Sequence, residues 1–224
     1  MNLSFLTDID DTLITFKPGC TVPRSTSGVI HVIRKYAVEE KKMSPETVDS
    51  KIDLVRKTVA WWSWKTFLEH LDIDPDLFWE YAFEVESVYL QPAETDLYEI
   101  FAEWKRRGAS FFITSNNPPD GIRHKLRLAG FRHPETIFTA FLGATQMQAM
   151  KADPLFWKKV IPLTGRPLET LCTLGDNFND DCLLPFSEGI RRCFLLNRDG
   201  RNDGRVMEGM SLVPSISKIR ELLP

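Results

Sequence analysis

Long hydrophobic runs are missing from this sequence. No apolar stretch reaches the ~18 residues of a membrane span. The first residues lack the basic start and extended apolar segment of a signal peptide, so none is expected. An excess of basic charge is missing too: 28 Lys and Arg stand against 31 Asp and Glu, for a formal net charge of −3. A nucleic-acid binder should show a basic patch. The clusters present, such as Lys105-Arg106-Arg107, are short and read as a solvated helix face. Neither nucleic acid nor membrane is expected as a partner. Cysteine is scarce, and Cys20, Cys172, Cys182 and Cys193 form no Cys-x-x-Cys pair, which removes the common zinc and redox motifs. Cys172 and Cys193 lie in strand-like runs and read as plain core residues. A reducing cytoplasm is the simplest setting. Internal repeats and low-complexity segments are absent.

What is there suits a folded enzyme-sized chain. With 224 residues, 43% of them hydrophobic, it can bury a sizeable core in one or two domains. Short apolar runs without clean alternation read as buried parallel strands: residues 3–7, 110–114, 137–143, 171–175 and 192–197. Helical segments separate most of them. Leu97, Ile100, Phe101 and Trp104 share one face of a helix that Gly108 stops. A second helix runs from Ile122 to Ala129 ahead of Gly130, and Asp153-Pro154 caps a third. Ser215 caps the last. Alternating strands and helices predict an α/β fold with a mostly parallel sheet.

The stretch from about Thr15 to Gln91 breaks this rhythm and shows no convincing strand. Val48, Ile52, Val55, Val59 and Trp62 mark one amphipathic helix. A second begins at Asp74-Pro75 with Phe78, Tyr81, Val85 and Val88 inward. The stretch reads as a helical module inserted after the first strand. Its many aromatics form mostly its own core.

In an open parallel sheet, ligands bind beyond the carboxyl ends of the strands. Asp8-Ile9-Asp10-Asp11-Thr12 follows the first strand, Ser115-Asn116-Asn117 the second, and Asp176-Asn177-Phe178-Asn179-Asp180-Asp181 the strand at 171–175. Side by side, these turns crowd four or five carboxylates onto one edge. Mg²⁺, which prefers oxygen ligands, would relieve the repulsion. Lys151 offers a fixed positive charge. A calcium loop does not fit, because its sixth position requires glycine and holds Leu13.

Together these motifs resemble the haloacid dehalogenase superfamily of aspartyl-nucleophile hydrolases. Asp8, Asp10 and Thr12 match its Asp-x-Asp-x-Thr motif. Ser115, or Thr114 in the other register, matches its second-motif hydroxyl. Lys151 matches its lysine, with Lys158 and Lys159 as substitutes. Gly175, Asp176 and either Asp180 or Asp181 match its last motif. The resemblance implies a Rossmann-like parallel sheet flanked by helices over 1–14 and 92–224, with an all-α cap over 15–91. It implies phosphoryl transfer through an aspartyl-phosphate: Asp8 as nucleophile, Asp10 as acid and base, and Ser115, Asn116 and Lys151 on the phosphoryl oxygens. Mg²⁺ would be held by Asp8, the Asp10 backbone carbonyl and Asp176, with Asp180 or Asp181 supporting the shell.

Asp10 favours phosphate esters, because relatives that expel halide or cleave phosphonates lack a carboxylate there. The expected activity is therefore Mg²⁺-dependent hydrolysis of a small phosphorylated metabolite. A sugar phosphomutase would share every one of these residues. A signalling receiver domain, or a binding protein on the same scaffold, is the alternative from another class. Specificity is expected on the insert and the loop near Lys17 to Arg24, where Arg24, Arg34 and Lys35 could meet a second anionic group. Nothing in the sequence sets the oligomeric state.

Overall fold

Apolar runs without alternation need cover on both faces, and the fold supplies it. The computed structural model describes residues 2–20 and 29–223. In chain order the elements are β1 (Ser4–Thr7), β2 (Ile14–Phe16), α1 (Val29–Glu39), α2 (Pro45–Thr58), α3 (Trp64–His70), α4 (Pro75–Tyr89) and β3 (Leu90–Pro92). There follow α5 (Leu97–Arg106), β4 (Ser110–Ser115), α6 (Pro119–Leu128), β5 (Ala140–Gly143), α7 (Ala144–Met147), α8 (Pro154–Leu163) and β6 (Leu171–Gly175). A π-helical turn over Phe178–Leu183 leads into α9 (Leu184–Ser187), β7 (Cys193–Leu196), β8 (Met210–Val213) and α10 (Ile216–Ile219). The chain divides into two compact units, one of Met1–Thr15 with Pro92–Pro224 and one of Phe16–Gln91.

The first unit is an α/β domain. Its six strands run parallel in the order β5-β4-β1-β6-β7-β8. Strand order reverses at β1, so a crevice opens beyond the carboxyl ends of β1 and β6. Side chains alternate between the two faces. Phe5 stacks on Trp104 and Phe111 at 5.4 and 5.3 Å on one face. Leu6 and Phe112 pack with Phe156, Trp157 and Val160 on the other. α5 buries Leu97, Ile100, Phe101 and Trp104, the predicted stripe. Gly108 follows at φ 94°, a left-handed conformation that glycine adopts without a Cβ penalty. α8 starts where Asp153 accepts the Leu155 N–H at 2.8 Å and Pro154 fills the first turn.

The second unit is helical, with departures from the predicted pattern. α2 ends at Thr58 because Val59 turns extended (φ −118°, ψ 136°), which leaves Val59 and Trp62 outside the helix. α4 buries Phe78, Ala82, Val85, Glu86 and Tyr89. Val88, expected inward, is 70% exposed, because the face continues from Val85 to Tyr89 at a spacing of four. Arg34 is committed to Asp49 through two bonds of 2.7 and 3.0 Å, and Lys35 lies 3.7 Å from Glu39. Arg24 lies outside the described residues.

Further differences concern short elements and cysteines. β2 and β3 pair in a separate two-stranded sheet at the ends of a stretch expected to lack strands. Residues 137–139 stay outside β5, and β8 extends the sheet by a strand the sequence pattern did not announce. Cys193 is buried as expected but not free: it forms a disulfide with Cys182, eleven residues earlier. Cys172 is buried and free. No helix among the described residues is long and apolar enough to cross a membrane.

Candidate active site

Asp8 leaves β1 at the crevice. Its N–H donates to Leu174 O at 2.9 Å, which carries the β1–β6 pairing one residue further and fixes the side chain at the edge. The chain then turns tightly. The N–H groups of Thr12, Leu13 and Ile14 all donate to Ile9 O at 3.1, 2.8 and 3.1 Å. Asp11 takes φ 54°, which aspartate tolerates better than most residues. Thr12 Oγ1 donates to Asp8 Oδ2 at 3.2 Å. Arg198, just past β7, donates to the Asp11 and Thr12 carbonyls at 2.7 and 3.1 Å and holds the turn.

The last motif closes the other side of the crevice. A Cβ on Gly175 would lie 2.1 Å from Asp181 Oδ2, so glycine is what lets that carboxylate pack against the end of β6. Asn177 N–H donates to Asp181 Oδ2 at 3.0 Å. Asp8, Asp176 and Asp181 each present an oxygen, all within 4.8 Å of one another. Of the two acids left open above, Asp181 and not Asp180 joins the cluster. The physical reason is the π-helical turn: Asn177 caps it by accepting the N–H groups of Asn179 and Asp180 at 3.0 and 3.1 Å. The Asp180 carboxylate turns outward to the Asn179 amide, and Asp181 turns in. The Asp10 side chain does not join the carboxylate cluster.

Lys151 is 3% exposed and bridges the cluster, with Nζ 2.6 Å from Asp8 Oδ1 and 2.5 Å from Asp181 Oδ1. Its backbone N–H donates to Asn116 Oδ1 at 2.7 Å, and its carbonyl accepts from Trp157 Nε1 at 3.1 Å. Lys159 instead donates to Met147 O, and Lys158 lies 4.0 Å from Glu188. Ser115 is the hydroxyl tied to the site: its Oγ accepts from Asn117 N and Nδ2 at 3.1 and 2.8 Å. Thr114 is buried without such a link.

Charge at the cluster is unbalanced. Burial pushes Asp8 up to about 7; Lys151 opposes this, while Asp181 and Asp10 add to it. Burial, then the charges of Asp8, Asp181 and Asp11, push Asp176 up to about 8. Burial disfavours the Lys151 ammonium, but Asp181 and Asp8 outweigh it and hold the group charged. Desolvation also works against the Asp10 carboxylate. There the Lys125 ammonium and hydrogen bonds from Lys125 and Asn117 win and hold it below the usual carboxylate range. Three carboxylate oxygens within 4.8 Å of one another are the donor chemistry a hard divalent cation seeks, so the residues fit Mg²⁺.

Several participants were not foreseen. Lys125 and Asn117 grip Asp10. Arg201 donates to Asp176 Oδ2 at 3.0 Å, and Asn202 Nδ2 donates to the Asp176 carbonyl at 2.7 Å. Arg198, Arg201 and Asn202 follow the carboxyl end of β7, where the same edge rule points. Lys125 stands three residues after Ile122 on the buried face of α6, an unusual place for a lysine.

A family model described as haloacid dehalogenase-like hydrolase matches residues 4–183. Among solved structures, a HAD phosphatase from Thermococcus onnurineus is 18% identical at TM-score 0.68, covering 98% of this chain and 97% of that one. A 2-haloacid dehalogenase from Pseudomonas syringae pv. Tomato DC3000 is 18% identical at TM-score 0.67, covering 99% and 98%. CbbY from Rhodobacter sphaeroides, solved with phosphate, is 18% identical at TM-score 0.58, covering 98% and 96%. At such identities the likeness is one of fold. No curated protein matches the sequence.

Proposed function

Since the chain belongs to the haloacid dehalogenase-like hydrolases, we propose that it is a Mg²⁺-dependent phosphatase of small phosphate monoesters that works through a phosphorylated Asp8. The observation that carries this reading is Asp10. A halide departs without a proton, whereas an alkoxide needs one. A carboxylate two residues past the nucleophile, anchored beside Ser115, suits the second case.

The roles follow from position. Asp8 attacks phosphorus while the bond to the leaving oxygen breaks, and Asp10, once it has taken up a proton against the Lys125 and Asn117 bonds that favour its carboxylate, gives that proton to the leaving oxygen. Water then attacks phosphorus, Asp10 takes a proton from it, and the bond to Asp8 breaks. Ser115 accepts twice from Asn117, which leaves its O–H to donate to a phosphoryl oxygen. Lys151 holds Asp8 and balances part of the cluster's charge. Asn116 supports from two sides, its side chain fixing Lys151 and its backbone serving the phosphoryl group. Asp8, Asp176 and Asp181 would hold Mg²⁺, with the Asp10 carbonyl as a further oxygen. When bound, the ion supplies positive charge between nucleophile and anionic substrate. Selection among esters falls to the second unit, where a cavity of about 430 Å³ is lined by Lys17, Cys20, His31, Lys35, Val85 and Tyr89.

The test pairs two substrates. Purified chain with Mg²⁺ should turn over p-nitrophenyl phosphate many times and release no chloride from 2-chloropropionate. Chloride release with an inert phosphate ester would overturn the assignment. A mutase would show itself by returning the phosphoryl group to a sugar phosphate rather than to water.

A further inference from the structure

The buried lysine of α6 has no part in the reaction as assigned. Lys125 is 3% exposed, on a face it shares with Ile122 and Leu126. An ammonium in such a place is costly unless paired and hydrogen-bonded. Its Nζ donates to Asp10 Oδ1 at 2.6 Å and to Asn117 Oδ1 at 3.1 Å. Asn117, 6% exposed, donates its Nδ2 to Asp10 Oδ2 at 2.5 Å and to Ser115 Oγ at 2.8 Å. Each carboxylate oxygen of Asp10 thus has its own donor, and the two donors also bind each other. The Asp10 side chain is nonetheless 51% exposed. With about half of the side chain open, packing alone does not fix its rotamer, and the two donors hold the orientation.

We infer that Lys125, together with Asn117, is a positioning residue for Asp10: it fixes the plane of that carboxylate and ties it in register with the Ser115 hydroxyl. The inference rests on the phosphatase reading, in which Asp10 must reach first the leaving oxygen and then the incoming water. Proton transfer needs heavy atoms within hydrogen-bond reach, and misplacement by about 1 Å can cost on the order of 10²-fold. Lys125 reaches the chemistry only through Asp10. Asn117 joins the group that protonates to the group that holds phosphate.

The experiment compares Lys125→Met, Lys125→Arg, Asn117→Ala, Asp10→Asn and the double variant Asp10→Asn/Lys125→Met, all with Mg²⁺. Lys125→Met should lower kcat for an alkyl phosphate by about 10–10²-fold with KM little changed. With p-nitrophenyl phosphate, whose leaving group needs little protonation, the first step should stay fast and phosphoenzyme should accumulate in rapid quench. The double variant should be no slower than Asp10→Asn alone, because both changes act on one group. Lys125→Arg should recover part of the rate, and Mg²⁺ affinity by calorimetry should not move. Equal slowing of alkyl and aryl substrates, or losses that multiply in the double variant, would overturn the inference and leave Lys125 a structural residue. If Lys125→Met does not fold, Asn117→Ala decides: the same leaving-group pattern supports the assignment, and full activity on the alkyl ester overturns it. An inert wild type would sink the phosphatase reading itself. An active wild type with an equally active Lys125→Met would sink only this inference.

Discussion

Removing divalent cation should make the stability of this protein fall as pH rises. Without a cation, Asp8 titrates near 7 in the folded chain against 3.8 in a free carboxyl, because it is buried beside Asp181 and Asp10. Asp176 is shifted the same way, to about 8. Between the free and the folded values the native state holds more protons than the unfolded state. Stability therefore decreases with rising pH across that window. From pH 5 to 7, Asp8 alone contributes a loss of about 2.3 kcal/mol. Asp176 adds in the same direction and extends the window towards pH 8. For a chain of this size the Asp8 contribution corresponds to about 5–9 °C in Tm. Scanning calorimetry in EDTA at pH 5, 6.5 and 8 reads it, with Asp8→Asn as control. The variant cannot ionise at this position and should show a shallower pH slope. Mg²⁺ at about 100 times its Kd should restore roughly 2.7 kcal/mol at pH 8. A metal-free protein more stable at pH 8 than at pH 5, or an Asp8→Asn variant with the wild-type slope, would refute the charge balance described for the cluster.

Two other perturbations test neighbouring parts. Gly175→Ala forces Asp181 away from β6, since the new Cβ would lie 2.1 Å from Oδ2. Mg²⁺ affinity and turnover should each fall about 10–100-fold, and unchanged Mg²⁺ binding would place Asp181 outside the metal's reach. Replacing Cys182 and Cys193 by serine removes a cross-link between residues 11 apart. Loop-closure entropy puts the loss at about 3 kcal/mol, and equal Tm values with and without reductant would show that the link contributes nothing.

The sheet and the edge that carries the chemistry were legible because both depend on short-range signals. Phe5, Leu6, Phe111 and Phe112 sit in runs too apolar for anything but a doubly covered strand. Asp8, Ser115 and Asp176 follow those runs directly, and parallel order brings such turns together. The choice between Asp180 and Asp181 was not legible because a π-helical turn changes which of two adjacent residues faces inward, and spacing alone does not reveal that phase. Val88 failed for a similar reason: positions three and four apart both satisfy a helical stripe, and packing chooses between them. Lys125 carried a signal, a lysine on an apolar face, but its partner Asp10 lies 115 residues away in sequence. The Cys182–Cys193 pairing joins the π-helical turn to β7, which no local pattern encodes. β8 is four residues long with only Val213 buried, too little contrast for periodicity to register.

Covalent capture at Asp8 decides whether this chain does the proposed chemistry. The wild-type chain is mixed with Mg²⁺ and a ³²P-labelled alkyl phosphate, quenched in acid within milliseconds, digested and sequenced by mass spectrometry. Label should appear on the peptide containing Asp8 as an acyl-phosphate, reach at most one per chain, decay at least as fast as steady-state turnover, and be absent from Asp8→Asn. Steady phosphate release without any label on Asp8, or release that survives Asp8→Asn, would contradict a phosphorylated aspartate as the route.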